Sequence, residues 1–363
     1  MKKRILSLLL ALVLVLGLMP GAMAAENEPE AEKTLLSAEE IPGEDPAPVQ
    51  EEPIAPAQEE PVLPADDEAA PQALDEAELA AAADAPEGEG TDTNPYQLKD
   101  AKTLFWFAQA VNGGQAELCA VLTGDVDLAG ADWTPIGNSS HPFKGTFDGN
   151  GYTVKGLKVS GETYAGLFGY AEGATIQNVI VQGSVSGSGD YTGGIAGYIR
   201  GKTQVLNCGN EASITGSGRY AGGVVGFAAT NEDTISGCYN TVAVTASGAS
   251  SYAGGILGYN QNAASILNCY NTGTITSGKY AGGIRGYLSS INGSITNCYS
   301  IGKVQATTTG AIAPKGTYSG ESCYALKDGK LVNDRTGETL SKTELLAALN
   351  GTGSVWKQDD AAN

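Results

Sequence analysis

The sequence is poor in the residues that usually build a catalytic centre or a thick hydrophobic core. It has one histidine, six phenylalanines and three tryptophans among 363 residues, which leaves no set of histidine ligands for a catalytic zinc. No His-Glu-x-x-His motif occurs, so a zinc peptidase centre of that type is excluded from this sequence. Glycine is abundant instead, with 50 residues, and this composition favours a narrow-cored solenoid over a layered globular domain.

Long apolar runs are also scarce. The one long run, Ile5–Leu18, follows Lys2, Lys3 and Arg4 and precedes Ala22-Met23-Ala24. It is shorter than the about 20 residues that a bilayer-spanning helix needs. We therefore predict a signal peptide at residues 1–24, cleaved near Ala24, with no membrane-spanning segment in the mature chain. The predicted location is secreted, extracellular or associated with the cell surface.

Basic residues are too few to suggest a nucleic-acid partner. Residues 26–93 hold 22 acids against Lys33, a charge of −21, and the basic start adds +3, so only −2 of the total −20 remains for residues 94–363. Like charge and few aromatics predict a disordered acidic linker, rich in Pro, Glu and Ala, at residues 25–93. Without a Lys/Arg patch, no nucleic-acid binding is expected.

A repeat fills the remainder of the chain. The pattern Gly-[Ile/Leu/Val]-x-Gly-[Tyr/Phe] begins at Gly166, Gly194, Gly223, Gly255 and Gly283, with separations of 28, 29, 32 and 28 residues. A decayed copy stands at Ala311–Pro314. Such a period is the signature of a solenoid in which each unit buries its apolar face against the next.

Four columns stay apolar when the copies are aligned, and short β-branched segments between Gly, Asn and Ser turns predict strands. The columns are Leu167, Ile195, Val224, Ile256, Ile284; Ile176, Val205, Ile235, Ile266, Ile295; Val179, Cys208, Cys238, Cys269, Cys298; and Val185, Ile214, Val244, Ile275, Val304. The predicted fold class is all-β, a right-handed parallel β-helix of 28–32 residues per coil. Its domain covers residues 94–363, with an N-terminal cap at 94–160, repeats at 163–326 and a C-terminal cap at 327–363.

Open solenoid ends need caps. Asp100–Asn112 predicts a helix that covers the first coil, and Ser341-Lys-Thr-Glu344 is a capping-box sequence that predicts a second short helix. Between the first helix and the first repeat, residues 121–128 and 145–159 predict the opening strands. A loop or hairpin is expected around Asp328-Gly329.

The residues resemble the GLUG-motif proteins. The resemblance rests on Thr134-Pro-Ile-Gly137, Gly145-Thr-Phe-Asp-Gly-Asn-Gly-Tyr152 and the repeated Gly-Gly-Ile-x-Gly-Tyr with its Asn-Cys-Tyr-Asn partner. It covers residues 94–357. It implies an exported β-helix protein of Gram-positive gut or oral bacteria, of a kind also found in some streptococcal immunoglobulin A peptidases, and it implies no particular activity.

Candidate chemistry is sparse. We interpret His141 as a loop residue. An alternative function is a polysaccharide-active lyase or hydrolase, which needs paired carboxylates. Its candidate residues lie close together in the sequence and are Asp125, Asp127, Asp132 and Asp148. The cysteine column is interpreted as buried free thiols, with disulfides or a metal ladder as alternatives. No catalytic residue, metal ligand or cofactor is assigned.

Two outward rows of aromatic residues form the predicted binding surface. One row is Tyr239, Tyr270, Tyr299 and Tyr324, and the other contains Tyr198, Tyr259 and Tyr287 together with Tyr170 and Phe227. Such rows can stack on sugar rings or anchor a protein. The alternative is that they stabilise the sheets.

The prediction is a non-catalytic secreted or cell-surface module for binding or adhesion, with host or dietary glycans or host surface proteins as partners. One alternative is the polysaccharide-active enzyme. The other is a structural stalk of a longer surface protein or peptidase.

Overall fold

The chain divides into two compact units, Met1–Asp66 and Asp67–Asn363. The computed structural model describes residues 85–289, 293–314, 322–327, 330–333, 339–341 and 344, all in the second unit. The predicted signal peptide and most of the predicted linker lie outside these residues.

The described part is a parallel β-solenoid, as the period predicts. Most coils give one strand to each of four sheets, and the eight strands of the first sheet span seven coil steps. Sheet 1 is Tyr96–Leu98, Ala120–Leu122, Thr146–Asp148, Thr175–Gln177, Gln204–Leu206, Thr234–Ser236, Ser265–Leu267 and Ile295–Thr296. Sheet 2 is Tyr164–Ala165, Tyr191–Gly193, Tyr220–Gly222, Tyr252–Gly254, Tyr280–Gly282 and Thr308–Gly310.

Sheets 3 and 4 complete each coil. Sheet 3 is Phe168–Glu172, Ala196–Arg200, Val225–Ala228, Leu257–Asn260 and Arg285–Leu288. Sheet 4 is Val126–Asp127, Thr153–Ser160, Ile180–Gly187, Gly209–Gly216, Tyr239–Asn240, Val244–Ala246, Tyr270–Asn271, Ile275–Ser277, Tyr299–Ser300, Val304–Gln305, Tyr324–Lys327, Lys330–Asn333 and Thr339–Leu340. The first eleven strands of sheet 4 pair in parallel, whereas the last two pair antiparallel. The right-handed winding stays a prediction.

The apolar columns predicted from the repeat line the interior. Their members are at most 1% exposed, apart from half-buried Val304 in the last repeat. Equivalent residues pair in register from coil to coil, for example Val205 with Ile235 and Ile235 with Ile266. Each column is therefore a ladder of like side chains at about 4.8 Å spacing.

A corner between sheets 1 and 4 explains the Asn-Cys pair of the repeat. Asn178, Asn207, Asn268 and Asn297 have φ between 54° and 56°, and Gly237 has φ 68° at the same position. Asn and Gly are the residues that adopt this left-handed conformation at low cost. The corner then turns the next residue, Val179 or a cysteine, into the core.

A ladder of hydrogen-bonded asparagine side chains is buried inside the solenoid, and the sequence analysis missed it. Asn210 Nδ2 donates to Asn240 Oδ1 at 2.7 Å, Asn240 Nδ2 to Asn271 Oδ1 at 2.7 Å, and Asn271 Nδ2 to Ser300 Oγ at 3.3 Å. Each asparagine also donates to the carbonyl two residues on. A Cβ at Gly223 would collide with Gly255 O and stand 2.5 Å from Asn240 Cγ, so the Gly-Gly of the repeat makes room for this ladder.

The predicted N-terminal helix is present as α1, Ala101–Asn112. Asp100 Oδ1 accepts from the Thr103 backbone N–H at 2.9 Å, and the Thr103 hydroxyl accepts from the Asp100 N–H at 3.2 Å, which closes a reciprocal cap. The helix packs Phe107 against Phe143 and Phe147 of the first coils, with ring centroids 6.0 Å apart in both pairs.

Two backbone hydrogen bonds join the end of the predicted linker to the N-terminal cap. The Gln97 N–H donates to Glu87 O, and the Cys119 N–H donates to Gly90 O. Glu87 and Gly90 therefore accept backbone hydrogen bonds from the cap. The predicted domain boundaries stay predictions.

The C-terminal end carries the predicted hairpin, in which Leu326 pairs with Leu331 and Lys327 with Lys330. The predicted capping box also forms. The Ser341 N–H donates to Glu344 Oε2 at 2.8 Å, and the Glu344 N–H donates to Ser341 Oγ at 3.2 Å. The helix predicted beyond Glu344 lies outside the described residues.

Candidate functional site

A strip of ten aromatic rings runs along the outside of the repeat coils, and seven of the rings are half-buried while Tyr170, Tyr220 and Phe227 are buried. We call it the aromatic strip. One of its rows belongs to sheet 2 and the other to sheet 3. The sheet-2 row is Tyr164, Tyr191, Tyr220, Tyr252 and Tyr280, and the sheet-3 row is Tyr170, Tyr198, Phe227, Tyr259 and Tyr287.

The rings of each row stack along the solenoid axis. Tyr198 stacks on Phe227 with centroids 5.1 Å apart and an interplanar angle of 7°, and Phe227 stacks on Tyr259 at 5.2 Å and 4°. Across the rows the contacts turn edge to face, as between Tyr191 and Tyr198 at 5.2 Å and 87°. Both geometries are favourable for aromatic pairs, so the strip is a continuous packed layer.

Glycine brings the two rows together. In the segment Tyr191-Thr-Gly-Gly-Ile-Ala-Gly-Tyr198 the chain reverses between sheets 2 and 3, and a Cβ at Gly197 would stand 2.9 Å from Tyr191 O. A Cβ at Gly226 would stand 2.8 Å from Thr192 O. Contacts this short tolerate no side chain, so the spacing of the glycines fixes the approach of the tyrosines.

The sequence analysis identified the sheet-3 row but missed the sheet-2 row. The signal was available, because a tyrosine stands seven residues before the Tyr or Phe of the pattern in four of the five good copies and six before it in the first. We predicted outward positions from the alternation of inward and outward side chains next to buried residues. That rule gives no information about sheet 2, where the missed tyrosines lie.

Few charges border the strip. Arg219 Nη2 lies 2.6 Å from Asp190 Oδ2, and the Arg219 guanidinium carbon lies 5.1 Å from the centre of the Tyr220 ring. The hydrogen bonds from Arg219 hold the pKa of Asp190 below its ordinary value. Lys279 Nζ lies 5.4 Å from the centre of the Tyr280 ring, and among the described residues it forms no salt bridge. The far end of the strip therefore carries an available cation.

Burial raises the pKa of four tyrosines of the strip. It raises the pKa of Tyr220 to about 12 and raises that of Tyr198 further. Burial is also the largest cause of the raised pKa values of Tyr164 and Tyr191. These four phenols therefore stay neutral at neutral pH, and their hydroxyl groups can donate and accept hydrogen bonds.

The other predicted row, Tyr239, Tyr270, Tyr299 and Tyr324, lies on sheet 4. Tyr239 stacks on Tyr270 at 5.3 Å and 11°, and Tyr270 stacks on Tyr299 at 5.2 Å and 5°. Tyr324 pairs in register with Tyr299 and is 6% exposed. No ring contact among the described residues joins this row to the aromatic strip, so the seven predicted tyrosines fall on two separate surfaces.

The sheet-4 row ends on a glycine. The Tyr239 ring lies over Gly209, which occupies the same register position one coil earlier. The Tyr239 hydroxyl donates to Glu211 Oε1 at 3.0 Å, and Gln182 Nε2 donates to the other oxygen of Glu211 at 2.7 Å. One face of Tyr239 thus meets backbone and the other meets Tyr270, which leaves edges and little open face for a sugar ring.

The aspartates of the predicted enzyme alternative each have local partners. Asp125 lies 2.7 Å from Lys155 Nζ and Asp132 lies 2.8 Å from Lys158 Nζ, while Asp127 accepts from the Ala129 N–H at 2.8 Å. Asp148 accepts from the Asn178 and Gln177 side-chain amides and from the Asn150 N–H.

The pKa directions of Asp125 and Asp148 do not match a general acid. The Lys155 hydrogen bond lowers the pKa of Asp125. Burial acts to raise the pKa of Asp148, but its three hydrogen bonds together hold it below the ordinary value. A general acid in glycoside hydrolysis needs a raised pKa instead. His141 lies exposed in a loop, where its backbone bonds with Asn138.

The four cysteines of the column are buried and form no disulfide, as the free-thiol interpretation predicts. The Cys208 N–H donates to Cys238 Sγ at 3.4 Å, and the Cys269 N–H donates to Cys298 Sγ at 3.4 Å. Burial raises the pKa values of Cys208, Cys238 and Cys269 well above the ordinary value. Over the described residues there is no group of three or more His, Cys, Asp or Glu that could hold a metal ion.

The GLUG resemblance is confirmed by comparison with known proteins. Residues 249–276 match the model of the GLUG motif. A solved structure from Bacteroides ovatus, provisionally described as an immunoglobulin A1 protease, has a TM-score of 0.60 and 26% identity over 76% of this chain and 92% of its own.

Two curated relatives match parts of the chain. A protein of Evansella cellulosilytica, provisionally described as a Gly-rich membrane protein, is 32% identical over 119 residues, 30% of this chain and 14% of its own length. Halomucin of Haloquadratum walsbyi is 33% identical over 115 residues, 28% of this chain and 1% of its own length. The matched segment is thus a small part of both relatives. Within the described residues, no helix is long and apolar enough to cross a membrane.

Proposed function

We propose that this protein is a non-catalytic binding module of an exported or cell-surface protein, and that it holds a macromolecular partner on the aromatic strip. The observation that carries this proposal is the strip itself. Ten rings form one surface layer along five coils of a stiff solenoid, and the smaller buried cluster within it stands apart from the main core.

Physical chemistry supports binding at this layer. Tyrosine gives a large, rigid contact area with a polar edge and loses little side-chain entropy on binding, which makes it common at recognition surfaces. The names of the relatives, a membrane protein and a halomucin, fit a place at the cell surface. We extend the proposal to a secreted or surface-attached location reached through the predicted signal peptide.

The test is an array that carries host mucin glycans, plant glycans and surface proteins, probed with the full chain. The strip variant is Tyr252→Thr/Tyr280→Thr, because Thr308 already occupies this register position in the next coil. The matched control is Tyr239→Ile/Tyr270→Ile on sheet 4, where Ile180 takes the equivalent position two coils before Tyr239.

Selective binding that the strip variant loses and the sheet-4 control keeps is the expected result. Loss in the sheet-4 variant alone would move the site to the row around Tyr239 and overturn the assignment to the strip. If the wild-type chain binds nothing on the array, the proposal of a binding module is overturned and the structural stalk is favoured.

A further inference from the structure

The repeat distance of the aromatic strip constrains the ligand that can lie along it. Successive coils stand about 4.8 Å apart, so every second coil repeats at about 9.6 Å. A polyproline II helix has three residues per turn at about 3.1 Å each, a repeat of about 9.3 Å. A polypeptide in this conformation, laid parallel to the solenoid axis, would therefore present an equivalent side chain to every second coil.

The side-chain chemistry of the strip also suits such a ligand. Proline-rich segments dock on aromatic surfaces because they are already extended and lose little entropy on binding. Their carbonyl groups make no internal hydrogen bonds, and neutral tyrosine hydroxyls can donate to them. Stacking covers the ring faces, so a ligand has to be contacted by ring edges and hydroxyl groups of the half-buried rings, and this suits ridges of proline better than the flat face of a sugar ring.

Charge at the strip selects among proline-rich segments. Arg219 is already paired with Asp190, whereas Lys279 is exposed beside Tyr280 and has no salt-bridge partner among the described residues. The available charge is therefore positive and lies at one end of the strip. A ligand with acids next to its prolines complements it.

We infer that the aromatic strip binds a proline-rich polypeptide in the polyproline II conformation with acidic residues beside its Pro-x-x-Pro motifs. This inference rests on the proposed function, because it names the partner class of the same surface. It differs from the glycan expectation in the shape of the ligand, which is an extended peptide and not a sugar ring.

The sequence of residues 51–66, which includes Pro53-Ile-Ala-Pro56 and Pro61-Val-Leu-Pro64 after the acid pairs Glu51-Glu52 and Glu59-Glu60, offers a probe of this chemistry. A dye-labelled synthetic peptide of this sequence is titrated against the full chain, and binding is followed by fluorescence anisotropy. The chain in this titration carries alanine in place of Pro53, Pro56, Pro61 and Pro64, so that the added peptide is the sole ligand of its kind.

Saturable binding is expected, with affinity reduced about tenfold or more when the peptide prolines become alanine. The Tyr252→Thr/Tyr280→Thr chain should lose affinity to the same degree, and Tyr239→Ile/Tyr270→Ile should not. Lys279→Glu should weaken binding several-fold and reduce its dependence on salt, while Lys303→Glu, an exposed change on sheet 4, should leave it unchanged.

Two outcomes would overturn the inference. One is an absence of saturable binding by a chain whose circular dichroism shows it folded, and the other is equal binding of the peptide without prolines. If array binding is lost in the strip variant while the peptide does not bind, the ligand class is wrong and the proposed function stands. If neither ligand binds, both fail.

Discussion

In the first coils the aromatic rings lie inside the solenoid, whereas in the repeat coils they lie on its outer surface. Phe143, Phe147 and Phe168 are fully buried and contact one another beneath α1. From the second repeat onward, most apolar side chains of the interior are Ile, Val, Cys and Ala, Leu257 and Arg285 are larger buried exceptions, and the rings belong to the strip and to the sheet-4 row. The same fold thus uses aromatic residues for two different purposes.

One register position shows the change directly. Phe168 pairs with Ala196, Ala196 with Val225, and Val225 with Leu257. Phe168 adjoins the space between the first coil and the helix, which large rings fill. Each later coil is covered by a coil of its own shape. The position there holds aliphatic side chains as far as Leu257, and the next coil buries Arg285 at the same register. At this position the aromatic ring belongs to the coil nearest the cap, where it packs with the rings of Phe143 and Phe147.

Removing a ring from the cap should therefore cost more than removing one from the strip. Phe147→Ala takes a fully buried ring from between Phe107 and Phe168, and we expect it to lower the free energy of unfolding by about 3–5 kcal/mol. Tyr259→Ala removes a half-buried ring and should cost clearly less. Urea unfolding of both variants measures the difference, and equal costs would show that the strip is part of the folding core.

The buried asparagine ladder gives the next largest effect. Asn240→Ala would leave the Asn210 amide and the Asn271 carbonyl oxygen without their 2.7 Å partners, at about 1–3 kcal/mol for each group. Asn231→Ala, an exposed change in the same coil, should stay within about 0.5 kcal/mol. If the two variants unfold at the same urea concentration, the ladder contributes nothing to stability.

The repeat made most of the fold predictable, because a period of 28 to 32 residues fixes the columns, the strands and the parallel pairing together. The corner asparagines, the cysteine column, the N-terminal helix and the Ser341–Glu344 capping box follow from local chemistry. The asparagine ladder was harder to see, since Asn210, Asn240 and Asn271 look like ordinary turn residues until the coils are stacked.

The site was less predictable than the fold. Alternation places Tyr239 and Tyr270 on the outer face, but it does not show that their rings cover one another or that Gly209 receives the last ring. It also fails across the reversal at Gly193-Gly194, where strand alternation is interrupted. The meeting of the two rows in the strip is a product of that reversal and is visible only in three dimensions.

Alkaline pH should destabilise the fold through the tyrosines of the repeat region whose pKa values are raised by burial. Burial raises the pKa of Tyr220 and of Tyr299 to about 12, whereas an unfolded tyrosine titrates near 10. The folded chain then keeps protons that the unfolded chain releases, so this stabilisation is fully present below about pH 10 and is lost as the pH rises toward 12. Urea midpoints should fall from pH 9 to pH 11. Tyr220→Phe should make the decrease in the urea midpoint smaller. The same decrease in the variant and in the wild-type chain would contradict the assignment.

The smallest effect separates the two aromatic surfaces from each other. Tyr239→Phe keeps the ring over Gly209 but removes its bond to Glu211, so we expect a loss of about 1 kcal/mol. Tyr259→Phe should cost nearly nothing, because Phe227 occupies the same row one coil earlier and stacks on Tyr259. If Tyr259→Phe leaves unfolding unchanged but weakens binding on the array, the hydroxyl at this position serves the ligand and not the fold. If Tyr239→Phe weakens binding instead, the polar end of the sheet-4 row is the functional surface.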